Sequence, residues 1–188
     1  MRLRIALMAL ALVAAGCDRQ AGTDAPGASA PQLDAPAPET EPSRVFAAAN
    51  EAATSATGQL SAAMALRLAD ASENNSDSQE VLTLTGANGV IVEAELTGAV
   101  SPATQVQGQT LRALLSIPVE EPQVLVYRVR NETRPSGQGI CGGDAAANVV
   151  VWEPAGPGDP VMKVLGLVGG APGAGDARAC PMLEYRRS

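Results

Sequence analysis

The chain has 188 residues, 13 basic and 20 acidic side chains, a formal charge of −7, no histidine, and one Trp, two Tyr and one Phe. Lack of histidine removes the commonest general base and the commonest transition-metal ligand, and the net acidity argues against nucleic acid or an anionic lipid surface as a partner, since both need clustered positive charge. So few rings make a poor base-stacking or sugar-binding platform.

Met1-Arg2-Leu3-Arg4 is a short basic start, Ile5 to Ala15 is an uncharged apolar run, and Ala14-Ala15-Gly16-Cys17 closes it. That layout predicts an export signal over residues 1–16, with an apolar core too short for a permanent membrane span. The closing tetrapeptide resembles the lipobox of bacterial lipoproteins, although the commonest lipobox has leucine where Ala14 stands. The resemblance implies cleavage before Cys17, diacylglycerol on its sulfur, and a chain anchored in the membrane facing the periplasm. Cysteine parity agrees. Three cysteines in an exported chain leave one unpaired, and a lipidated Cys17 would leave Cys141 and Cys180 as an even pair. Asp18 resembles an inner-membrane retention signal and Arg19 departs from it, which leaves the choice of membrane open.

Loss of residues 1–16 takes Arg2 and Arg4 away and leaves 11 basic against 20 acidic side chains, a formal charge of −9. Residues 17–44 then form the anchor and a Pro/Ala-rich segment with almost no large apolar side chain. Such a segment cannot bury enough surface to offset its ordering entropy, so it is predicted to be a disordered tether. Fully extended it would reach roughly 80 Å, and as a flexible coil roughly 30 Å.

Residues 45–56 are alanine-rich and predict a short helix, with Ser43 as a candidate N-cap. The globular domain is expected over residues 57–188. Leu60, Ala62, Met64, Leu66 and Leu68 recur at every second position, a strand period carried by helix-favouring residues. From Val81 to Leu96 the alternation is clean, and Asn88-Gly89 marks a hairpin. A two-residue loop would pair Leu84 with Glu93 and mix the faces. A three-residue loop, Ala87-Asn88-Gly89, pairs Leu84 with Val92 and Leu82 with Ala94, and puts Thr83, Thr85, Glu93 and Glu95 on the wet face. Thr110 to Leu115 predicts a helical turn. Strands are expected at Gln123–Asn131, Asn148–Glu153, Val161–Gly169 and Cys180–Arg187, the second and third apolar enough to be covered on both sides. The fold class is therefore all-β or mostly β: one antiparallel sandwich or small barrel of about seven strands, with a short helix at most.

Candidate chemistry is sparse. Gly137-Gln138-Gly139-Ile140-Cys141-Gly142 has the spacing of a dinucleotide fingerprint, but it neither follows directly on a strand nor opens a helix, so a glycine-rich loop around a disulfide cysteine is the better reading. Cys141 and Cys180 lie far apart, with no neighbouring base to activate a thiol, which favours a structural bridge over a redox pair. The acids Glu93, Glu95, Glu120, Glu121 and Asp144 are expected on solvated surfaces, and Lys163 has no serine at dyad spacing. Arg128, Arg130 and Arg134 fall close together and form a candidate anion-binding stripe, unless acids such as Glu132 pair with them. No catalytic residue, cofactor or metal ligand is assigned.

With the residues for catalysis missing, the first expectation is a non-catalytic binding or inhibitory module of the cell envelope, anchored through Cys17, with an envelope protein as candidate partner. In architecture this resembles the small β-domain lipoproteins that bind lysozyme or other envelope enzymes, without sharing a motif with them. A structural or assembly accessory is the alternative, and an enzyme with a carboxylate-based site comes third.

Overall fold

Alternating apolar residues along successive strands give this chain one buried face per strand, and an antiparallel sheet can hide that face by curling onto itself. The computed structural model describes residues 42–67, 78–154 and 161–188. The export signal, Cys17 and the tether as far as residue 41 lie outside the described residues, as does Leu68. The elements are β1 (Arg44–Ala48), α1 (Glu51–Ala56), β2 (Leu60–Arg67), β3 (Gln79–Gly86), β4 (Ile91–Val100), β5 (Gln105–Val106), β6 (Gln109–Thr110), α2 (Leu111–Leu115), β7 (Val124–Thr133), β8 (Asn148–Trp152), β9 (Val161–Val168), β10 (Arg178–Ala179) and β11 (Leu183–Arg187). Neighbours run β9-β11-β1-β2-β3-β4-β7-β8, and β8 pairs back onto β9. The result is a closed, antiparallel eight-stranded barrel. β10 extends one side of β9, and β5 with β6 forms a small separate hairpin.

The β3–β4 hairpin has the three-residue loop. Leu84 faces Val92 and Leu82 faces Ala94, Gly86 N–H donates to Val90 O at 2.8 Å, and Gly89 takes φ +86°. A register set by the turn thus keeps Leu82, Leu84, Val92 and Ala94 together on the buried face. Two register shifts interrupt β4 against β7, one leaving Arg130 and the other Thr97 as the extra residue. Bulges of this kind sharpen local twist and help a sheet of few strands close.

Two apolar clusters use the two faces of the wall. Inside lie Phe46, Leu60, Leu82, Leu84, Val92, Tyr127, Val149, Val151, Met162, Val164, Leu183 and Tyr185. Outside β7, β8 and β9 a second cluster joins Val126, Val150, Leu165 and Leu167 to Val106, Leu111, Leu115 and Ile117. The segment around α2 thus covers the outer wall, which is why β8 is buried along its whole length. α2 starts at the Thr110 cap, whose side chain accepts from Ala113 N–H at 3.2 Å, and ends at Ser116 with φ 50°.

Two expectations need correction. Arg44–Ala48 is a strand, so the helix occupies only Glu51–Ala56 and its cap is Asn50, not Ser43; Asn50 accepts from Ala53 N–H at 2.9 Å. The reason is non-local: β1 fills the gap between β2 and β11, and Phe46 is buried there. The barrel therefore begins at Arg44 rather than Thr57. The last strand opens at Leu183 rather than Cys180, because Pro181 has no N–H to give to a ladder.

Candidate functional site

At one end the barrel is filled. The Tyr185 hydroxyl meets that of Thr57 at 2.7 Å, and Ala53 of α1 is fully buried beside them. Burial pushes the Tyr185 phenol up to about 12, against a smaller opposing effect of the Thr57 hydrogen bond. At the other end the interior opens into a cavity of about 430 Å³. That volume is within the range of small-molecule sites.

Alternation explains the lining. Met64 on β2, Leu82 on β3, Leu125 and Tyr127 on β7, Val151 on β8 and Met162 on β9 all point inward and make the apolar walls. The polar members stand where strands begin or end: Arg44, Glu121, Gln123 and Glu153; Trp152 borders the cavity with its ring in the outer cluster. Arg44 of β1 and Glu153, just past the end of β8, form a 2.5 Å ion pair; β1 and β8 are not neighbours in the barrel, so the pair spans part of the opening. The same guanidinium lies 5.6 Å from the centre of the Phe46 ring.

Tyr127 is 1 % exposed and its hydroxyl donates to Glu80 Oε1 at 2.9 Å. Burial raises its ionisation well above the ordinary phenol range. The Glu80 hydrogen bond and the charges of Glu80 and Glu153 raise it further, and Arg44 opposes them. The phenol is therefore a neutral donor at physiological pH and unsuited to act as a base. What the mouth offers is an apolar chamber, the Tyr127 ring and a rim with two acids and one arginine. Such a site can hold a ligand and orient one end of it.

A second cavity, of about 360 Å³, lies between α1 and the 138–142 loop, lined by Ala52, Ser55, Ala56, Ile140, Pro181 and Leu183 among others. No charged side chain lines it.

The candidate residues from the sequence lie elsewhere. Arg130 is held by Glu95 at 2.5 Å, with Arg67 on the same carboxylate at 3.6 Å. Arg134 donates to Gly143 O at 2.8 Å and lies 4.0 Å from Glu132. Arg128 is exposed on the outer wall, and the bulge at Arg130 breaks the spacing that would align the three. Glu93 and Glu95 face outward and Asp144 belongs to the β7–β8 loop; of the five candidate acids, Glu121 is the one that lines the cavity. Lys163 donates to Ser116 O at 2.9 Å and sits 3.8 Å from Glu184 and 5.6 Å from the Trp152 ring centre. Its amine is thus engaged outside the barrel, away from the cavity.

Cys141 and Cys180 stand at disulfide distance, with sulfurs 1.93 Å and Cα atoms 5.2 Å apart. The fingerprint-like glycines serve the loop that carries Cys141: Gly139 and Gly142 exchange backbone hydrogen bonds at 2.8 and 3.1 Å, and the next element is β8. Sequence reasoning passed over the mouth, whose members come from distant segments. One signal was available: a chain with four aromatic residues and five methionines places Tyr127, Met64 and Met162 around one cavity. Among the described residues, no group of three or more His, Cys, Asp or Glu is placed to hold a metal ion. No protein-family model, curated protein or solved structure matches this chain.

Proposed function

We propose that this chain is an envelope lipoprotein, anchored through Cys17 and facing the periplasm, whose barrel is a non-catalytic binding module with its site at the open mouth. The observation that carries this reading is the 430 Å³ cavity, walled by Met64, Leu82, Val151 and Met162 and rimmed by charged side chains. Concave, mostly apolar sites with a few polar groups at one side are the usual form of small-molecule sites. Methionine and aromatic linings adapt to ligands of varied outline, which suits capture better than chemistry. The absence of histidine and the protonated state of Tyr127 support holding over turnover.

The test is recovery of a bound molecule. Protein purified from its own membrane should release a small molecule on organic extraction, seen by mass spectrometry. A Leu82→Trp variant, whose ring would fill the chamber, should release far less while keeping its β-type circular dichroism. If the wild type carries nothing and its Met64 and Met162 methyl resonances ignore an extract of envelope small molecules, the reading fails.

A further inference from the structure

Resting on the mouth as the binding site, we propose that its ligand is a small amphipathic cation, an apolar body ending in an ammonium or guanidinium group. The lining charges set the sign. Arg44 is the one cation among the lining residues, and Glu153 already holds it at 2.5 Å. Glu121 also lines the cavity, and its carboxylate has no hydrogen-bond or ion-pair partner among the described residues. Glu80 stands behind the lining and accepts from Tyr127 at 2.9 Å. The Arg112 guanidinium donates to Glu121 O at 3.4 Å, so three carboxylates act on the mouth against two guanidiniums, next to apolar walls that strengthen their field.

Tyr127 points the same way: its ring belongs to the interior cluster and lines the cavity, and aromatic faces attract cations. An anionic amphiphile would need a free positive group, yet Arg44 is spent on Glu153 and on the Phe46 ring. The chain's own preceding segment fits no better: residues 18–43 carry Asp18, Asp24, Asp34, Glu39 and Glu41 against Arg19, the same sign as the mouth.

Trp152, the only tryptophan of the chain, borders the cavity from the outer cluster, and Met64 lies on the inner wall, so Trp152 emission and the Met64 methyl resonance are followed together. The test titrates the full-length exported protein with 3-phenylpropylamine, 3-phenylpropanol and 3-phenylpropionate, three probes that share a body and differ in charge. The amine should bind roughly tenfold tighter than the alcohol, with the carboxylate weakest. High salt and the Glu121→Gln variant should each shrink the preference for the amine. Equal binding of amine and alcohol, or tightest binding of the carboxylate, overturns the cationic ligand while leaving the mouth as a binding site. If no probe shifts Trp152 emission or the Met64 methyl resonance, the cavity reading falls and this inference with it.

Discussion

Glu132 has only 4 % of its side chain exposed, and its carboxylate accepts the N–H groups of Ile140 and Ala146, each at 3.0 Å. One acid thus organises both ends of the loop that carries Cys141, because buried N–H groups need acceptors and a charged acceptor is a strong one. Arg134 lies 4.0 Å from it, so the charge is partly balanced in place. The two tyrosines are polar groups buried in the other sense, kept neutral by the barrel. Tyr185 ionises only near 12 and Tyr127 is also raised, against an ordinary value of 10.0. The folded state therefore keeps both protons at pH values where the unfolded chain gives them up. Their stabilising effect is complete below pH 10 and is lost as pH rises through the folded values, at about 1.4 kcal/mol per pH unit for each phenol. We expect cooperative alkaline unfolding above pH 10, in which phenolate absorbance and loss of β-type circular dichroism rise together. Phenolate forming near pH 10 in a still-folded protein would contradict this.

At the scale of elements, the pair Cys141–Cys180 ties the β7–β8 loop to the segment just before β11, 39 residues away. A closed loop of that size is worth about 4 kcal/mol in the chain-entropy model. Its fit depends on Gly166 of β9: a Cβ there would lie 2.5 Å from Cys141 Sγ and 3.4 Å from Cys180 Sγ. Gly166→Ala should then cost about 1–3 kcal/mol by overpacking, while the double serine variant should melt earlier than the wild type. Removal of both sulfurs should lower the cost of Gly166→Ala, so urea unfolding of the four proteins should give a clear coupling energy. Additive effects would mean that Gly166 is not packed against a bridge. The same scale explains what could be read ahead of the structure. The β3–β4 hairpin was legible because Asn88-Gly89 and strict alternation act locally, and α2 because Thr110 caps a short apolar run. β1 was not legible: five residues rich in alanine favour helix until β2 and β11 offer ladders on both sides. The mouth was hidden for the same reason, since Arg44, Glu121 and Glu153 become neighbours only when the barrel closes.

For the whole molecule, the proposed lipoprotein reading puts binding in the described domain and anchoring in the N-terminal segment. The barrel closes its own hydrogen-bond ladders, so it carries little exposed strand edge to aggregate, and among the described residues no helix is long and apolar enough to cross a membrane. On the proposed reading of Cys17, membrane attachment comes from residues before Arg44. Arg44 itself lines the mouth, so the described chain enters the barrel at the cavity rim. A single acyl chain binds a bilayer only marginally, so stable attachment needs the two chains of a diacylglycerol. Cys17→Ser keeps the side chain polar and small but removes the nucleophilic sulfur that would take the lipid. That variant should lose labelling by a radioactive or clickable fatty acid and leave the membrane fraction. It should still bind the amine probe, because the mouth is built from residues 44–162 and needs no lipid for its geometry. Membrane association unchanged by Cys17→Ser would remove the lipoprotein reading, whatever the mouth proves to hold.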